Sequence, residues 1–413
     1  MAIAVLDHRR ETSIGAASAP AETYLPRVYL LELWSFIPYY VAALSLALED
    51  AGARVILGST RYHLDRSYFE QAGANTDRCL IDIGGGLRNR TLRRIVKSAE
   101  YVFNIGFLLL RFAIARPDVL HVQYLPFLDR GTSFELWFLR LVRRLGVRIV
   151  HTAHNVTNQN QEHLNTSLYA HAYQMADAII CHGEQARTRL ENEFAISSSK
   201  IRVIPHGPLF QCHPDCSPAE AREKLGLPGV EPLVVCAGVI SEYKGIPFLL
   251  RAWERVVRNG CHGKLLIAGT GDPQLLNDIR NLVVSLRIGD SVELRLTFIS
   301  VEELPLIHHA ADILVYPYKA GTTSGALLTG MQYQKAVVAT DLPVFREHLR
   351  NQHNALLVPF GDESSLAQAL LQLMQSPYDR ERLARALYSE SQSRMSWAAI
   401  AQRTVDCYST LAR

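Results

Sequence analysis

No apolar run in this sequence is long enough to cross a bilayer. The longest, Tyr101 to Ala115, is broken by Asn104 and Arg111 and falls short of the roughly 20 residues that a spanning helix needs. Residues 1–25 offer neither a basic start nor a long apolar core, so a secretory signal is not expected there and the stretch reads as a mobile leader. Charge of one sign is not in excess: the net charge is +3 over 413 residues, too little to argue for a nucleic-acid partner. Cysteine is sparse and scattered, at 79, 181, 212, 216, 236, 261 and 407. That spread fits a reducing compartment rather than a disulfide framework. Cys212 and Cys216 have no second pair at zinc spacing, so they read as incidental loop thiols.

What is present is an alternation of short apolar strands with helices. Arg27 to Leu33 is the first strand, a helix follows from Tyr39 to Ala51, Gly52 stops it, and Arg54 to Gly58 returns as a strand. Further strands are expected at Val119 to Gln123, Arg148 to Thr152, Ala178 to Cys181 and Ile201 to Ile204. Residues 209–230 are rich in proline, glycine and charge and read as a linker, with a short helix opening near Ser217. The alternation then restarts, with strands at Leu233 to Ala237, Lys264 to Ala268, Val292 to Leu296, Ile313 to Tyr316, Ala336 to Thr340 and Ala355 to Val358. This pattern predicts α/β architecture in two doubly wound parallel-sheet domains. Ligands of such sheets lie beyond the carboxyl ends of the strands, so residues there take priority.

His154 and Asn155 stand at one such strand end. In the second half three features converge on an anion. Lys244 lies between Gly238 and Gly245 in a strand-to-helix loop, Gly269-Thr270-Gly271 ends the neighbouring strand, and Thr322, Thr323, Ser324 and Gly325 lead from a buried strand into a short helix. Glycines allow close backbone approach, and a lysine supplies a mobile positive charge for phosphate. Two basic segments, Arg88 to Lys97 and Arg140 to Arg148, neighbour apolar residues, so an anionic membrane surface and a solvated helix face both fit them.

The segments Thr152 to Val156, Val203 to Gly207, Gly238 to Gly245, Leu265 to Gly271, Ala311 to Tyr318, Lys335 to Thr340 and Asn354 to Pro359 together resemble glycosyltransferase family 4 of the GT-B type. Met395 to Ala401 resembles that family's last helix, which crosses back to the first domain. The resemblance implies two Rossmann-like domains facing a cleft: a leader at 1–25, an acceptor domain at 26–210, a nucleotide-sugar domain at 211–394 and the returning helix at 395–413. It implies transfer of a sugar from a nucleotide-diphosphate sugar to a saccharide or lipid-linked acceptor in polysaccharide or glycolipid synthesis, with retention favoured. Lys244 would hold the diphosphate. Gly238 would line the phosphates, Gly269, Thr270 and Gly271 would sit near the nucleoside, and Thr323, Ser324 and Gly325 would cradle the phosphates. His154 would face the transferred sugar, with Asn155 and Thr322 nearby.

The resemblance, with leaving-group stabilisation by fixed dipoles and one cation, implies neither a metal nor another cofactor, and the lack of an Asp-x-Asp pair agrees. A cytoplasmic place, peripheral at the inner face of a membrane, follows from the same likeness. Two departures stand out. The family's paired glutamates fall on about Gly321 and Thr329, and the arginine that accompanies its lysine falls on Val239 or Ser241. Nucleotide recognition is therefore expected to differ from the usual pattern. Should transfer invert, Asp129, His154 and Glu32 are the base candidates. A sugar-nucleotide epimerase or hydrolase and a non-catalytic nucleotide-sugar-binding subunit are the alternatives.

Overall fold

The computed structural model describes residues 26–62, 66–87, 89–156, 166–209, 214–227, 232–320 and 324–411. The chain divides into two compact units, one of residues 1–205 with 397–413, the other of residues 206–396. The first division falls a few residues before the stretch that reads as a linker, and the second lies just inside the expected returning segment.

The first unit holds β1 (Arg27–Glu32), β2 (Arg54–Ser59), β3 (Val119–Val122), β4 (Arg148–Ala153), β5 (Ala178–Cys181) and β6 (Ile201–Val203). They form one parallel sheet in the order β2-β1-β3-β4-β5-β6. The second unit holds β7 (Leu233–Ala237), β8 (Lys264–Ala268), β9 (Val292–Arg295), β10 (Ile313–Tyr316), β11 (Ala336–Thr340) and β12 (Leu356–Val358), again all parallel, ordered β12-β11-β10-β7-β8-β9. Each order reverses once, between β1 and β3 and between β7 and β10. Loops after those four strands flank the crevice where doubly wound sheets take ligands.

The strands read as unbroken apolar runs because both faces of each sheet are covered. In β10, Ile313 and Val315 join one core while Leu314 and Tyr316 join the other. β7 repeats the division, Val234 and Cys236 against Leu233 and Val235. The first of these cores closes on Trp253, which is 1% exposed and donates its indole N–H to Ser291 Oγ at 3.0 Å. An aromatic of that size buried fully stabilises the unit by on the order of 3 kcal/mol.

Helix boundaries move by a residue or two from the sequence expectation, as caps dictate. The helix expected from Tyr39 begins at Pro38, whose fixed φ suits a first turn. Ser217 caps the helix Pro218–Lys224 through a full capping box with Glu220. The short helix expected over 326–332 is an α-helix at Gly325–Gly330 followed by a 3₁₀ turn at Met331–Tyr333. The basic segment near residue 90 and the apolar run after 101 form one continuous helix, Arg90–Ile114, capped by Asn89. Helix Trp397–Leu411 lies within the first unit and packs on the helix Pro38–Asp50.

Candidate functional site: the switch point of the second sheet

In the second unit the strand β7 ends at Ala237, and Gly238 continues with φ of 119°, a backbone that L side chains rarely adopt. Gly269, after β8, has φ of 149°, and a Cβ there would lie 2.0 Å from Gly238 O. A Cβ on Gly271 would lie 2.3 Å from Ile240 O. The two loops thus run in contact beyond the ends of their strands, joined by Gly238 N–H to Ala268 O at 2.9 Å and Ile240 N–H to Thr270 O at 2.7 Å. Only glycine permits this approach, which is the physical content of the Gly-Thr-Gly signal.

Lys244 closes the 3₁₀ turn Glu242–Lys244 and is 8% exposed. Its ammonium donates to Tyr318 Oη, lies over the Tyr318 ring at 4.1 Å and sits 5.5 Å from the Tyr243 ring. Burial lowers its pKa to about 8, against a smaller raising effect of Cys236. The charge is therefore held with hydroxyl and aromatic neighbours, and an anion beside it would restore the ordinary lysine pKa. Gly245 follows with φ of 67°, where a Cβ would meet Pro317 O at 1.9 Å, so the lysine's turn is pressed against the loop after β10.

Tyr318 connects the two sides of the switch point. Its hydroxyl oxygen accepts from the Lys244 ammonium on one side and meets Ser324 Oγ at 3.3 Å on the other. Thr340 anchors its backbone by donating to Tyr318 O at 2.7 Å. Buried Ser324 also accepts from Leu327 N–H at 3.2 Å as the cap of the following helix. Gly325 packs closely on Leu209, whose Cδ1 would lie 2.9 Å from a Cβ there. Lys244, Gly238, Gly269, Thr270, Gly271, Ser324 and Gly325 are thus gathered at the strand ends of one sheet. Gly321, Thr322 and Thr323 lie outside the described residues. Thr329, at the place of a family glutamate, is 2% exposed and its Oγ1 accepts from Leu209 N–H at 3.2 Å. It fastens backbone.

In the first unit His154 follows β4 directly, with Asn155 exposed beside it. Both ring nitrogens of His154 are engaged: Nε2 with Gln123 Oε1 at 2.8 Å and Nδ1 with His182 Nε2 at 3.0 Å. Tyr40 covers the imidazole edge-on, 4.8 Å between centroids. The other base candidates are set differently. Asp129 accepts from the hydroxyls of both Tyr124 and Tyr169. Glu32 is fully buried, its pKa is pushed up to about 8 chiefly by desolvation, and its Oε1 accepts from Phe36 N–H at 2.8 Å. Among the described residues no group of three His, Cys, Asp or Glu side chains is placed to hold a metal ion.

Two family models match this chain: "Glycosyltransferase Family 4" over residues 37–207 and "Glycosyl transferases group 1" over residues 231–376. Together they span β2 to β12 and more than half of the chain. The chain belongs to the family-4-like glycosyltransferases with the GT-B fold. It is 31% identical over 197 residues to phosphatidyl-myo-inositol mannosyltransferase of Mycobacterium leprae, a match covering 47% of this chain and 50% of that protein. The chain thus spans about half the length of the curated relatives it matches. Its fold is similar to that of sucrose-phosphate synthase from Thermosynechococcus elongatus, with TM-score 0.71 and 22% identity over 93% of this chain and 98% of that one. Anabaena HepE, solved in complex with UDP, is similar at TM-score 0.71 and 14% identity over 93% of this chain and all of that one. At such identities these two likenesses speak for the fold alone.

The residues that sequence reasoning missed are Tyr318, Gln123 and His182. Tyr318 follows a buried strand by two residues and reads as core. Gln123 and His182 also stand just after strands, at positions that the strand-end rule covers, but neither belongs to a motif.

Proposed function

We propose that this protein transfers a sugar from a nucleoside-diphosphate sugar to a lipid-linked saccharide or glycolipid acceptor, with retention of anomeric configuration. The observation that carries the donor half is the buried Lys244 ammonium, joined through Tyr318 to Ser324 beside the apposed Gly238 and Gly269 loops. This is a fixed cation next to backbone that a diphosphate can approach closely. The complex of HepE with UDP agrees with a uridine nucleotide as the first to try. In the reaction the bond from the anomeric carbon to the diphosphate oxygen breaks and a bond to the acceptor oxygen forms. The acceptor proton passes to the leaving diphosphate, and Lys244 stabilises the charge that develops there. His154 is assigned to the transferred sugar. With no Asp-x-Asp pair in the sequence, the reading assigns charge neutralisation to Lys244 and backbone dipoles, so turnover should persist in EDTA.

The lipid half rests on the helix Arg90–Ile114. Along its length of about 37 Å it exposes Leu92, Ile95, Val102, Phe103, Leu110 and Ile114, and its one acidic residue, Glu100, is buried. Trp137 is half exposed on the neighbouring helix Phe134–Arg144, where Arg140, Arg143 and Arg144 are also exposed. An apolar stripe flanked by arginines suits the surface of an anionic bilayer. The mannosyltransferase relative is named for a phosphatidylinositol acceptor, which agrees. Among the described residues no helix is long and apolar enough to cross a membrane. Donor turnover with and without a lipid-linked acceptor tests the whole reading. Acceptor-dependent release of nucleoside diphosphate supports it, and conversion of the donor without any acceptor would favour an epimerase or hydrolase. Flotation with anionic vesicles at low salt tests the membrane part.

A further inference from the structure

A chain of hydrogen bonds runs through the interior of the first unit from the last helix to His154. Tyr408 Oη meets His121 Nδ1 at 2.6 Å, His121 Nε2 meets the Gln123 amide nitrogen at 2.9 Å and Thr152 Oγ1 at 2.7 Å, and Gln123 Oε1 meets His154 Nε2 at 2.8 Å. His154 Nδ1 then meets His182 Nε2 at 3.0 Å, and His182 Nδ1 ends the chain on Ile204 O at 3.0 Å. The members come from β3 or its end (His121, Gln123), the strand or loop residues 152–154, the end of β5 (His182) and helix Trp397–Leu411 (Tyr408). His121, Gln123 and Thr152 are each at most 2% exposed, and His182 is buried.

Donor and acceptor counting fixes the protons. Ile204 O can only accept, so His182 carries hydrogen on Nδ1. When both rings are neutral, His182 Nε2 accepts from His154 Nδ1–H and leaves His154 Nε2 bare. That nitrogen needs a donor, so the Gln123 NH2 must face it and Oε1 must face His121, which then carries hydrogen on Nε2 and accepts from Tyr408 at Nδ1. With Oε1 toward His154, as placed here, His154 Nε2 must carry hydrogen. The two rings then share three protons instead of two, one imidazolium between them. His121 Nε2 becomes the acceptor, and its Nδ1–H donates to Tyr408. Each amide orientation suits these bonds in one protonation state and sets two like groups face to face in the other.

We propose that Gln123 is a positioning residue for His154 whose amide turns over when the His154–His182 pair gains a proton, reversing the tautomer of His121 and the Tyr408 hydroxyl with it. The added proton comes from solvent, and no heavy atom need shift beyond the amide rotation. Burial holds His182 down to about 4 and His121 down to about 3. Both imidazoles therefore take up a proton less readily than one in water. Groups that face the pair include Tyr40 of helix Pro38–Asp50, itself packed on Trp397, and Gln123 of the β3 side, while His121 feels the charge of His182 and of His151 in β4 and bonds Thr152.

The test is long-range ¹H–¹⁵N spectroscopy of the full chain with labelled histidine, titrated in pH. The expected result is that His121 changes from the Nε2–H to the Nδ1–H tautomer at the same midpoint at which the pair takes up its proton. In Gln123→Met the coupling is lost and His121 keeps one tautomer. In Gln123→Glu the carboxylate accepts on both sides, so the midpoint rises by about 1–3 units while His121 stays Nε2–H, a result readable near neutral pH where the fold is safe. A His121 tautomer that stays fixed through the pair's titration in the unaltered chain overturns the proposal, as does an unmoved midpoint in Gln123→Glu.

Discussion

The two sheets are built alike and furnished differently at the points where their strand order reverses. Beyond β7 and β10 stand glycines in contact with backbone, one buried lysine and a tyrosine that ties it to a serine. At and beyond the ends of β1 and β3 stand aromatic and acidic side chains: Phe36 and Tyr124 stacked at 4.6 Å, buried Glu32 accepting from Phe36 N–H, and Asp129 held by two tyrosines. The same topology thus offers a cationic, backbone-lined niche in one unit and an aromatic, acidic one in the other. Fold does not choose the ligand, and side chains at the strand ends do. The proposed function assigns a diphosphate to the first set and a saccharide, which stacks on rings and donates hydroxyl protons, to the second.

That contrast can be broken residue by residue. The largest effect is expected from Lys244→Ala: donor turnover falls about 100-fold or more, the scale of losing a charge-stabilising donor, while the melting temperature at pH 7 does not drop. Burial has lowered this lysine's pKa, so its charged form opposes folding below about pH 8, and its removal relieves that cost. Next is Gly269→Ala, whose Cβ would press on Gly238 O. Thermal denaturation should show a loss of about 1–3 kcal/mol from backbone strain, with donor affinity falling alongside. Tyr318→Phe keeps the ring and removes the link between Lys244 and Ser324, so initial rates should fall roughly three- to tenfold. The smallest change is expected from Thr329→Val, which leaves Leu209 N–H without its partner. Chemical denaturation should register about 1–3 kcal/mol with little change in kcat. A large kinetic effect there would show that Thr329 acts on the nucleotide after all.

Most of the fold was legible because both faces of each sheet are covered, so every strand announces itself as an apolar run such as Ile313 to Tyr316. The donor niche was legible for a similar reason, since glycines after strands and a lysine between glycines are local signals. What escaped was set by contacts far apart in the chain. Tyr318 looks like core until its hydroxyl is seen between Lys244 and Ser324. Gln123, His154 and His182 come from the ends of three different strands, and no spacing in the sequence brings them together. The helix Arg90–Ile114 was divided on paper by composition, basic then apolar. In space it is one element whose exposed stripe runs through both parts.

The central claim is that Lys244 holds an anionic nucleotide at the switch point of the second sheet. Its most direct test is the Kd of UDP measured by calorimetry from pH 7.5 to 9 for the unaltered chain and for Lys244→Met. The free lysine loses its proton near pH 8, and only the protonated form attracts the diphosphate. Affinity should therefore weaken above that pH by up to about tenfold per unit in the unaltered chain, and should be both weaker and flat with pH in the variant. Equal affinity in the two proteins with the same pH dependence would contradict the account.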